Sequence, residues 1–353
     1  MTLNTRQHFA SDNYAGTCPE ALHWFLEANA SGHEPAYGDD RWTQKSSDML
    51  RQLFEIDCDV YYVFNGTAAN SLALASICQS YQSVICSSIA HIENDECGAP
   101  GFFSNGAKLL VAESQSASAQ LGKLSPEALH AVATKRTDLH YTKPRAVSIT
   151  QATELGTVYS VDEVSALTEV ARRNGLKVHM DGARFANAVA HLGCTAADIT
   201  WKAGVDVLCF GGTKNGLPVG EAVVFFDREL SKDFAWRAKQ AGQLASKMRH
   251  ISAPWVGMLE NDTWLRNARH ANAMAQRLYQ GLLKIPSIKV MHPPQANGVF
   301  AYLSAEAIQA LHAQGWKFYE FIAGGGCRFM CAWDTTEASV DAFLADIEQT
   351  VHV

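Results

Sequence analysis

The hydrophobic pattern from about residue 60 onward alternates short apolar runs with longer amphipathic segments. Several of the runs are unbroken, which is typical of strands covered on both faces, and the segments between them fit helices. This order predicts an α/β fold with a largely parallel sheet. The seven predicted strands span residues 60–64, 84–87, 109–112, 146–150, 177–180, 205–210 and 222–226.

Helix boundaries are clearest for residues 161–174, where Ser160 is the expected N-cap, Glu163 completes a capping box and Gly175 ends the helix. A long helical stretch is predicted over residues 255–283. The pattern then predicts a small α+β domain, with strands over residues 299–303 and 328–333 and helices over residues 305–314 and 337–350. We therefore expect a large domain with the N-terminal segment in residues 1–250, and a connecting helix with the small domain in residues 251–353.

Composition narrows the classes of protein and partner. Hydrophobic residues make up 47% and charged residues 18% of the 353 residues, which is typical of a chain that buries a sizeable core. The net charge of −7 argues against nucleic acid as a partner. No apolar run reaches the about 18 residues that span a membrane, and no secretory signal is visible, so no membrane partner is expected. Nine cysteines without a Cys-x-x-Cys pair indicate free thiols in a reducing cytoplasm and no metal site.

The strongest chemical signal lies at the ends of two successive predicted strands. One strand ends in Asp181, within His-Met-Asp-Gly-Ala-Arg, and the next is followed by Lys214, within Gly-Gly-Thr-Lys-Asn-Gly. Parallel strands deliver both side chains to the same edge of the sheet, where α/β proteins bind ligands. A structural ion pair explains either residue alone. Together they predict a pyridoxal phosphate site, with Lys214 holding the aldehyde and Asp181 keeping the pyridine nitrogen protonated.

Two further segments match the cofactor's need for a phosphate-binding site and for a side chain that stacks on its ring. Gly66 and Thr67 open a helix after the first strand, where free N–H groups favour a phosphate, although a plain helix cap has the same pattern. His91 follows the second strand and could stack on the pyridine ring and exchange protons, although a single histidine is more often an ordinary residue. Arg184 and Arg328 are candidates for binding a substrate carboxylate, because the guanidinium pairs with it bidentately.

These segments together resemble the threonine aldolase family of the fold type I, or aspartate-aminotransferase-like, pyridoxal-phosphate enzymes. The resemblance covers nearly the whole chain, and residues 179–184 match almost letter for letter. It begins at Ser11-Asp12-Asn13-Tyr14, where it implies that Ser11 helps bind the substrate carboxylate. The stretch Tyr37-Gly38-Asp39-Asp40 matches as well, and the resemblance places Tyr37 near the active site.

The same resemblance implies roles for the other candidates. It makes Lys214 the Schiff-base lysine, Asp181 the partner of the pyridine nitrogen and His91 the ring-stacking residue, followed by the acid Glu96. It puts Gly66 and Thr67 at the phosphate, and Arg184 and Arg328 at the substrate carboxylate. It further implies a homo-oligomer, a dimer of dimers, in which Lys247 and Arg249 reach the phosphate of a neighbouring subunit.

One departure from the family concerns the group that meets the substrate hydroxyl. Where many members carry Asn-Thr-His-Asn, this chain has Ala152-Thr153-Glu154-Leu155, so Glu154 stands in the place of a histidine. An ionised carboxylate accepts a proton but donates none. The base for the β-hydroxyl is therefore His91, Glu154 or a water held by either.

The resemblance implies retro-aldol cleavage of L-β-hydroxy-α-amino acids, such as L-threonine and L-allo-threonine, into glycine and an aldehyde. Two alternatives stay open at this stage. Another enzyme of the same cofactor class, an aminotransferase or β-eliminating lyase, shares the Asp181 and Lys214 pair and differs in its products. A cofactor-dependent binding protein without catalysis is the other.

Overall fold

The predicted apolar runs form one seven-stranded sheet in the computed structural model, which describes residues 7–113 and 122–351. The strand order is β1-β7-β6-β5-β4-β2-β3, and the neighbours from β6 to β3 are parallel. The expectation of a largely parallel α/β sheet is thereby confirmed. The strands are β1 Asp59–Val63, β2 Gln82–Cys86, β3 Lys108–Val111, β4 Lys143–Thr150, β5 Lys177–Gly182, β6 Val207–Phe210 and β7 Glu221–Phe225.

The strand β7 runs antiparallel to both of its neighbours. Its connection to β6, residues 211–220, is shorter than the crossover that parallel neighbours need, so the chain turns back directly. As a result, the beginning of β7 lies at the edge of the sheet where β6 ends. This places Glu221 beside the turn that contains Lys214.

Helices cover both faces of this sheet. On one face, Cys209 and Phe225 pack beneath α3 and α9, and on the other, Met180 and Phe210 pack against a second helical layer. Within residues 7–113 and 122–351, no helix has the length and hydropathy needed to cross a membrane. The α-helices are α1 Pro19–Ala30, α2 Arg41–Phe54, α3 Gly66–Ile77, α4 His91–Asn94, α5 Ala99–Phe103, α6 Pro126–Ala133, α7 Val161–Arg173, α8 Phe185–Leu192, α9 Phe234–Gln240, α10 Arg249–Leu259, α11 Thr263–Leu282, α12 Ala305–Ala313 and α13 Glu337–Val351.

The helix α7 confirms the capping box that the sequence predicts. The Ser160 side chain accepts a hydrogen bond from the Glu163 backbone, and the Glu163 side chain accepts one from the Ser160 backbone. Gly175 follows the helix with φ of 67°. Local side-chain chemistry is sufficient to set both ends here.

The long stretch predicted as helical over residues 255–283 is helical but is not one continuous helix. The chain forms α10 and α11, separated by a 3₁₀ turn, Glu260–Asp262. Asn261 and Asp262 have φ of 52° and 53°, in the left-handed region that ends an α-helix. Asn and Asp tolerate this region because their short polar side chains bond locally.

A second sheet of four antiparallel strands lies towards the C-terminus, in the order β10-β11-β9-β8. Its strands are β8 Lys289–Val290, β9 Gly298–Tyr302, β10 Tyr319–Ile322 and β11 Gly326–Met330. The sequence predicted β9 and β11 but neither of the others, which are short or largely exposed. Phe9 from the N-terminal segment stacks on Phe343 in this second core, with ring centroids 4.7 Å apart. The division of the chain at residues 250 and 251 stays a prediction.

Candidate active site

A cavity of about 340 Å³ lies at the carboxyl ends of β1, β5 and β6. These three strands run in the same direction, so the residues that follow them converge at one edge of the sheet. The cavity brings together the two strongest sequence candidates, Asp181 and Lys214, with His91, Gly66 and Thr67. Residues separated by more than a hundred positions in the chain therefore line one space.

The N-terminus of α3 forms one end of the cavity. The Asn65 side chain caps the helix by accepting from the Ala68 backbone N–H at 2.9 Å. Gly66 and Thr67 line the cavity, and their N–H groups precede the first hydrogen bonds within the helix. A Cβ added at Gly66 would meet no atom within 4 Å. This end of the cavity therefore offers donors and space to an anion.

A chain of hydrogen bonds joins His91 to Asp181. His91 Nδ1 lies 2.8 Å from Glu96 Oε1, and the same oxygen accepts from Asn70 Nδ2 at 2.8 Å. Asn70 Nδ2 also donates to Asp181 Oδ2 at 3.0 Å. Asp181 Oδ1 accepts from the Ala183 backbone at 3.0 Å, which fixes the orientation of its carboxylate.

Hydrogen bonding, burial and neighbouring charges shift the pKa values of His91 and Glu96. The hydrogen bond to Glu96 raises the pKa of His91 above its usual value, because it favours the imidazolium. Burial raises the pKa of Glu96, and the nearby Asp181 charge adds to that rise. The histidine and the acid therefore hold a proton between them more readily than either group does in water.

The turn that carries Lys214 is braced by Glu221. The Glu221 carboxylate accepts from the backbone N–H groups of Gly212 and Thr213. Burial raises the pKa of Glu221. The preceding Gly211 lies against the end of β5, where an added Cβ would meet the Ala183 carbonyl oxygen at 2.5 Å. Close approach of the two strand ends thus requires glycine at this position.

His179 lies on β5 two residues before Asp181, on the same face of the sheet. It is fully buried, and its ring nitrogens contact Ser148 Oγ at 2.9 Å and Cys209 Sγ at 3.3 Å. Burial lowers the pKa of His179 to about 4. The imidazole is therefore neutral at neutral pH and supports the end of the strand without adding charge.

The two candidate arginines differ in how they are engaged. Arg184 forms a bidentate ion pair with the buried Asp12, with distances of 2.7 Å from Nε and 3.0 Å from Nη2. Arg328 lies over the Phe321 ring, with its guanidinium carbon 4.6 Å from the ring centroid. Its Nε is buried and has no hydrogen-bond partner among the described residues. The Arg184 fork is thus held internally, while Arg328 remains available to a ligand.

Glu154 and Ser11 do not line the cavity, and neither do Arg184 and Arg328. Glu154 is half-buried, and its charge adds to the rise in the pKa of His91 and of Arg184, although larger effects come from other groups. Burial lowers the pKa of Arg328, and the Glu154 charge offsets part of that fall. Ser11 caps the turn Asp12–Tyr14 by accepting from Asn13, which does line the cavity. Their roles stay predictions.

Tyr37, Lys247 and Arg249 form a separate region of the surface. Tyr37 is 48% exposed, and its backbone N–H donates to the Ser246 carbonyl at 3.1 Å. Lys247 is exposed, and Arg249 begins α10. Among the described residues, the cavity lining includes none of these three.

Sequence reasoning missed three residues that organise the site: Asn70, Asp12 and Glu221. Asn70 is the only amide side chain in a helix made of small and aliphatic residues, which is the available signal for a buried amide. The sequence shows Asp12 only as the neighbour of Ser11. Glu221 begins an apolar strand. Its position beside the lysine turn can be inferred only when β7 is known to run antiparallel to β6. In the part of the chain that the structure describes, no group of three or more His, Cys, Asp and Glu residues could hold a metal ion.

Comparisons with known proteins agree with this geometry. The sequence model of the beta-eliminating lyase family matches residues 8–306. A low specificity L-threonine aldolase of Pseudomonas sp. (strain NCIMB 10558) is 60% identical over 341 residues, covering 97% of both chains. A protein of the same name from Pseudomonas aeruginosa is 59% identical over 347 residues, covering 98% of both.

Solved structures show the same fold. The threonine aldolase of Leishmania major superposes with a TM-score of 0.89 at 26% identity, covering 97% of this chain and 99% of that one. The aspartate aminotransferase of Thermus thermophilus superposes with a TM-score of 0.70 at 16% identity, covering 95% of this chain and 89% of that one, which is a likeness of fold alone. The class is thus that of the fold type I pyridoxal-phosphate enzymes, as expected. The chain belongs to the beta-eliminating lyase family and, within it, to the threonine aldolases.

Proposed function

We propose that this chain is a pyridoxal-phosphate-dependent carbon–carbon lyase. Its reaction is the cleavage of L-β-hydroxy-α-amino acids, such as L-threonine and L-allo-threonine, into glycine and an aldehyde. The observation that carries the proposal is one cavity lined by Lys214, Asp181 and His91. This cavity occurs in a chain that is 60% identical, over 97% of both chains, to a low specificity L-threonine aldolase.

The residues of the cavity fit the cofactor at each of its functional groups. Lys214 would hold its aldehyde carbon, Asp181 its ring nitrogen, and the N–H groups of Gly66 and Thr67 its phosphate. The open space that a Cβ would occupy at Gly66 supports a phosphate at that point. When bound, the cofactor supplies an acceptor for the electron pair that remains at Cα after the Cα–Cβ bond breaks.

Substrate orientation is assigned to the guanidinium groups and Ser11. Arg328 presents its unbonded Nε, and Arg184 retains Nη1 as a donor beyond its two bonds to Asp12. A carboxylate held between them, with help from the Ser11 hydroxyl, fixes the direction of the Cα–Cβ bond. Such fixed binding is worth several orders of magnitude in rate, because the reacting bond is already aligned.

Removal of the β-hydroxyl proton is assigned to His91. This residue lines the cavity, whereas Glu154 is not among the lining residues described. The imidazole Nδ1 is held by Glu96, which leaves Nε2 as the atom that accepts the proton. Glu154 contributes a negative charge near His91, which favours the imidazolium that forms.

A homo-oligomer, a dimer of dimers, is part of the proposal. Phe64, which lines the cavity, is 58% exposed, and Tyr37, in the separate surface region, is 48% exposed. These large exposed aromatic side chains support a second copy that covers them. The Nε of Arg249 is buried without a hydrogen-bond partner among the described residues, which supports a role for this arginine at a neighbour's phosphate. A cytoplasmic location is supported by nine cysteines that are all free of disulfide bonds.

The experiment is an absorption spectrum of the protein with pyridoxal phosphate, followed by addition of L-threonine or L-allo-threonine and assays for acetaldehyde and glycine. We expect a visible band from the bound cofactor and equal amounts of both products. Lys214→Ala abolishes the band and the products. Lys177→Ala is the matched control, because this lysine begins β5 at the opposite edge of the sheet and pairs with Asp227.

Each outcome separates the candidate functions. A band with a keto acid or ammonia in place of glycine would show that the chain acts as an aminotransferase or a β-eliminating lyase. A band with no product from either substrate would contradict the aldolase assignment. The absence of any band would overturn the cofactor assignment itself.

A further inference from the structure

Asp12 occupies the fork of Arg184 in the way that a substrate carboxylate occupies a free arginine. Its two oxygens accept from Arg184 Nη2 and Nε at 3.0 and 2.7 Å, which is the bidentate geometry of the strongest arginine–carboxylate pairs. Both side chains are almost completely buried, with 0% exposure for Asp12 and 9% for Arg184. The pair is therefore a fixed part of the site.

A clamp from the C-terminal sheet prevents Asp12 from turning away. Asn297 Nδ2 donates to Asp12 Oδ2 at 3.0 Å and to the Cys331 carbonyl at 2.7 Å. The Cys331 backbone in turn donates to the Asn297 carbonyl at 2.9 Å. Asp12 is thus held from the large sheet by Arg184 and from the small sheet by Asn297.

The charge of Asp12 determines how many carboxylates the two arginines can take. Burial lowers the pKa of Arg328, and the Arg184 charge lowers it further, so the two guanidinium charges repel each other. Asp12 neutralises one of the two positive charges. Arg328, whose Nε has no hydrogen-bond partner among the described residues, is then the guanidinium left for one substrate carboxylate.

We propose that Asp12 is a specificity-determining residue that fills the Arg184 fork and thereby limits this pocket to one substrate carboxylate. Amino acids that carry a second carboxylate on the side chain are excluded, because that group finds an arginine already neutralised and a negative Asp12 beside it. Discrimination of this kind uses a built-in repulsive group as well as an attractive one.

This inference rests on the proposed function, because it assumes that the arginines bind the substrate carboxylate. The test uses the cofactor-loaded protein and measures the binding of succinate and propionate by calorimetry, without turnover. Asp12→Gly removes both the charge and the volume of the side chain, and Asp12→Asn removes the charge alone. Asp341→Asn is the matched control, because Asp341 forms the same bidentate pair with Arg277 at an exposed position, with both distances 2.8 Å.

In Asp12→Gly we expect succinate to bind about tenfold more tightly than in the unchanged protein, with less change for propionate, because a freed guanidinium now accepts the second carboxylate. Added formate, which fits the space of the missing carboxylate, should restore the original ratio of succinate to propionate affinity. Asp12→Asn should show a smaller increase in succinate affinity. This variant tests the proposal if Asp12→Gly does not fold. Asp341→Asn should bind both acids as the unchanged protein does.

An unchanged ratio of succinate to propionate affinity in the folded Asp12 variants would overturn the inference and reduce Asp12 to a structural partner of Arg184. Loss of affinity for both acids in equal proportion would do the same. Failure of the proposed function is visible separately, because the unchanged protein would then release no glycine and aldehyde from L-threonine.

Discussion

The side-chain amide of Asn70 donates a hydrogen bond to the carboxylate of Asp181, with 3.0 Å between Nδ2 and Oδ2. The same nitrogen donates to Glu96, which holds His91. One amide group therefore lies between two carboxylates and donates to one oxygen of each. It also links the residue assigned to the ring nitrogen of the cofactor to the residue assigned to proton transfer.

Replacement of Asn70 by Asp should weaken cofactor binding. The change puts a third carboxylate between Glu96 and Asp181 and removes the donor that both accept, so like charges compete in a buried site. We expect the dissociation constant of pyridoxal phosphate to rise about tenfold or more, measured by titration of the visible band. Asn272→Asp is the control, because Asn272 bonds Asn187 and lies outside the cavity lining described. An equal effect of both substitutions would contradict the bridging role.

Replacement of Glu96 by Gln should shift the acid limb of the pH profile of kcat/KM to lower pH. The hydrogen bond that His91 donates to Glu96 is the largest effect that raises the pKa of His91. Without the carboxylate this pKa falls, so the imidazole loses its proton at lower pH and is available as a base there. Glu163→Gln, in the cap of α7, should leave the profile unchanged. A limb that stays in place in Glu96→Gln would exclude His91 as the titrating base.

Replacement of Gly66 by Ala should weaken cofactor binding without changing the stability of the protein. A Cβ at this position meets no atom of the protein within 4 Å, so the melting temperature of the cofactor-free protein should not change. The methyl group enters the space assigned to the phosphate, and the cofactor should bind about tenfold more weakly, since close backbone approach is lost. Gly211→Ala, in contrast, should lower the stability of the fold. It places a Cβ 2.5 Å from the Ala183 carbonyl oxygen, and overpacking of this kind destabilises by about 1–3 kcal/mol.

The buried His179 should make stability fall as the pH is lowered. Its pKa is 6.5 when unperturbed and about 4 in the folded chain, so the unfolded chain binds an additional proton between these values. By linkage, the folded state loses about 2 kcal/mol between pH 7 and pH 5 from this residue alone. Urea unfolding at both pH values should show that His179→Asn lacks this component. A variant with the same pH dependence as the unchanged protein would mean that His179 is not buried in the neutral form.

Much of the architecture was predictable because it depends on local order in the chain. Unbroken apolar runs identify the strands of a covered sheet, and parallel strands bring the residues after them to one edge. Asp181 and Lys214 could therefore be assigned to one site from their positions alone. Gly66 could be placed at the start of α3, since a helix N-terminus after a strand is a local feature.

The remaining features depended on contacts between distant parts of the chain. Only the tertiary structure pairs Asp12 with Arg184, which are 172 residues apart, and turns β7 back so that Glu221 braces the lysine turn. The bridge from Asn70 to Asp181 spans 111 residues. A local pattern specifies which side chains are polar and near a strand end, but the partner of a buried polar group is set by the packing of whole elements. For this reason the sequence determined the chemistry that the site contains, and the tertiary structure decided which of its charges are paired and which are free.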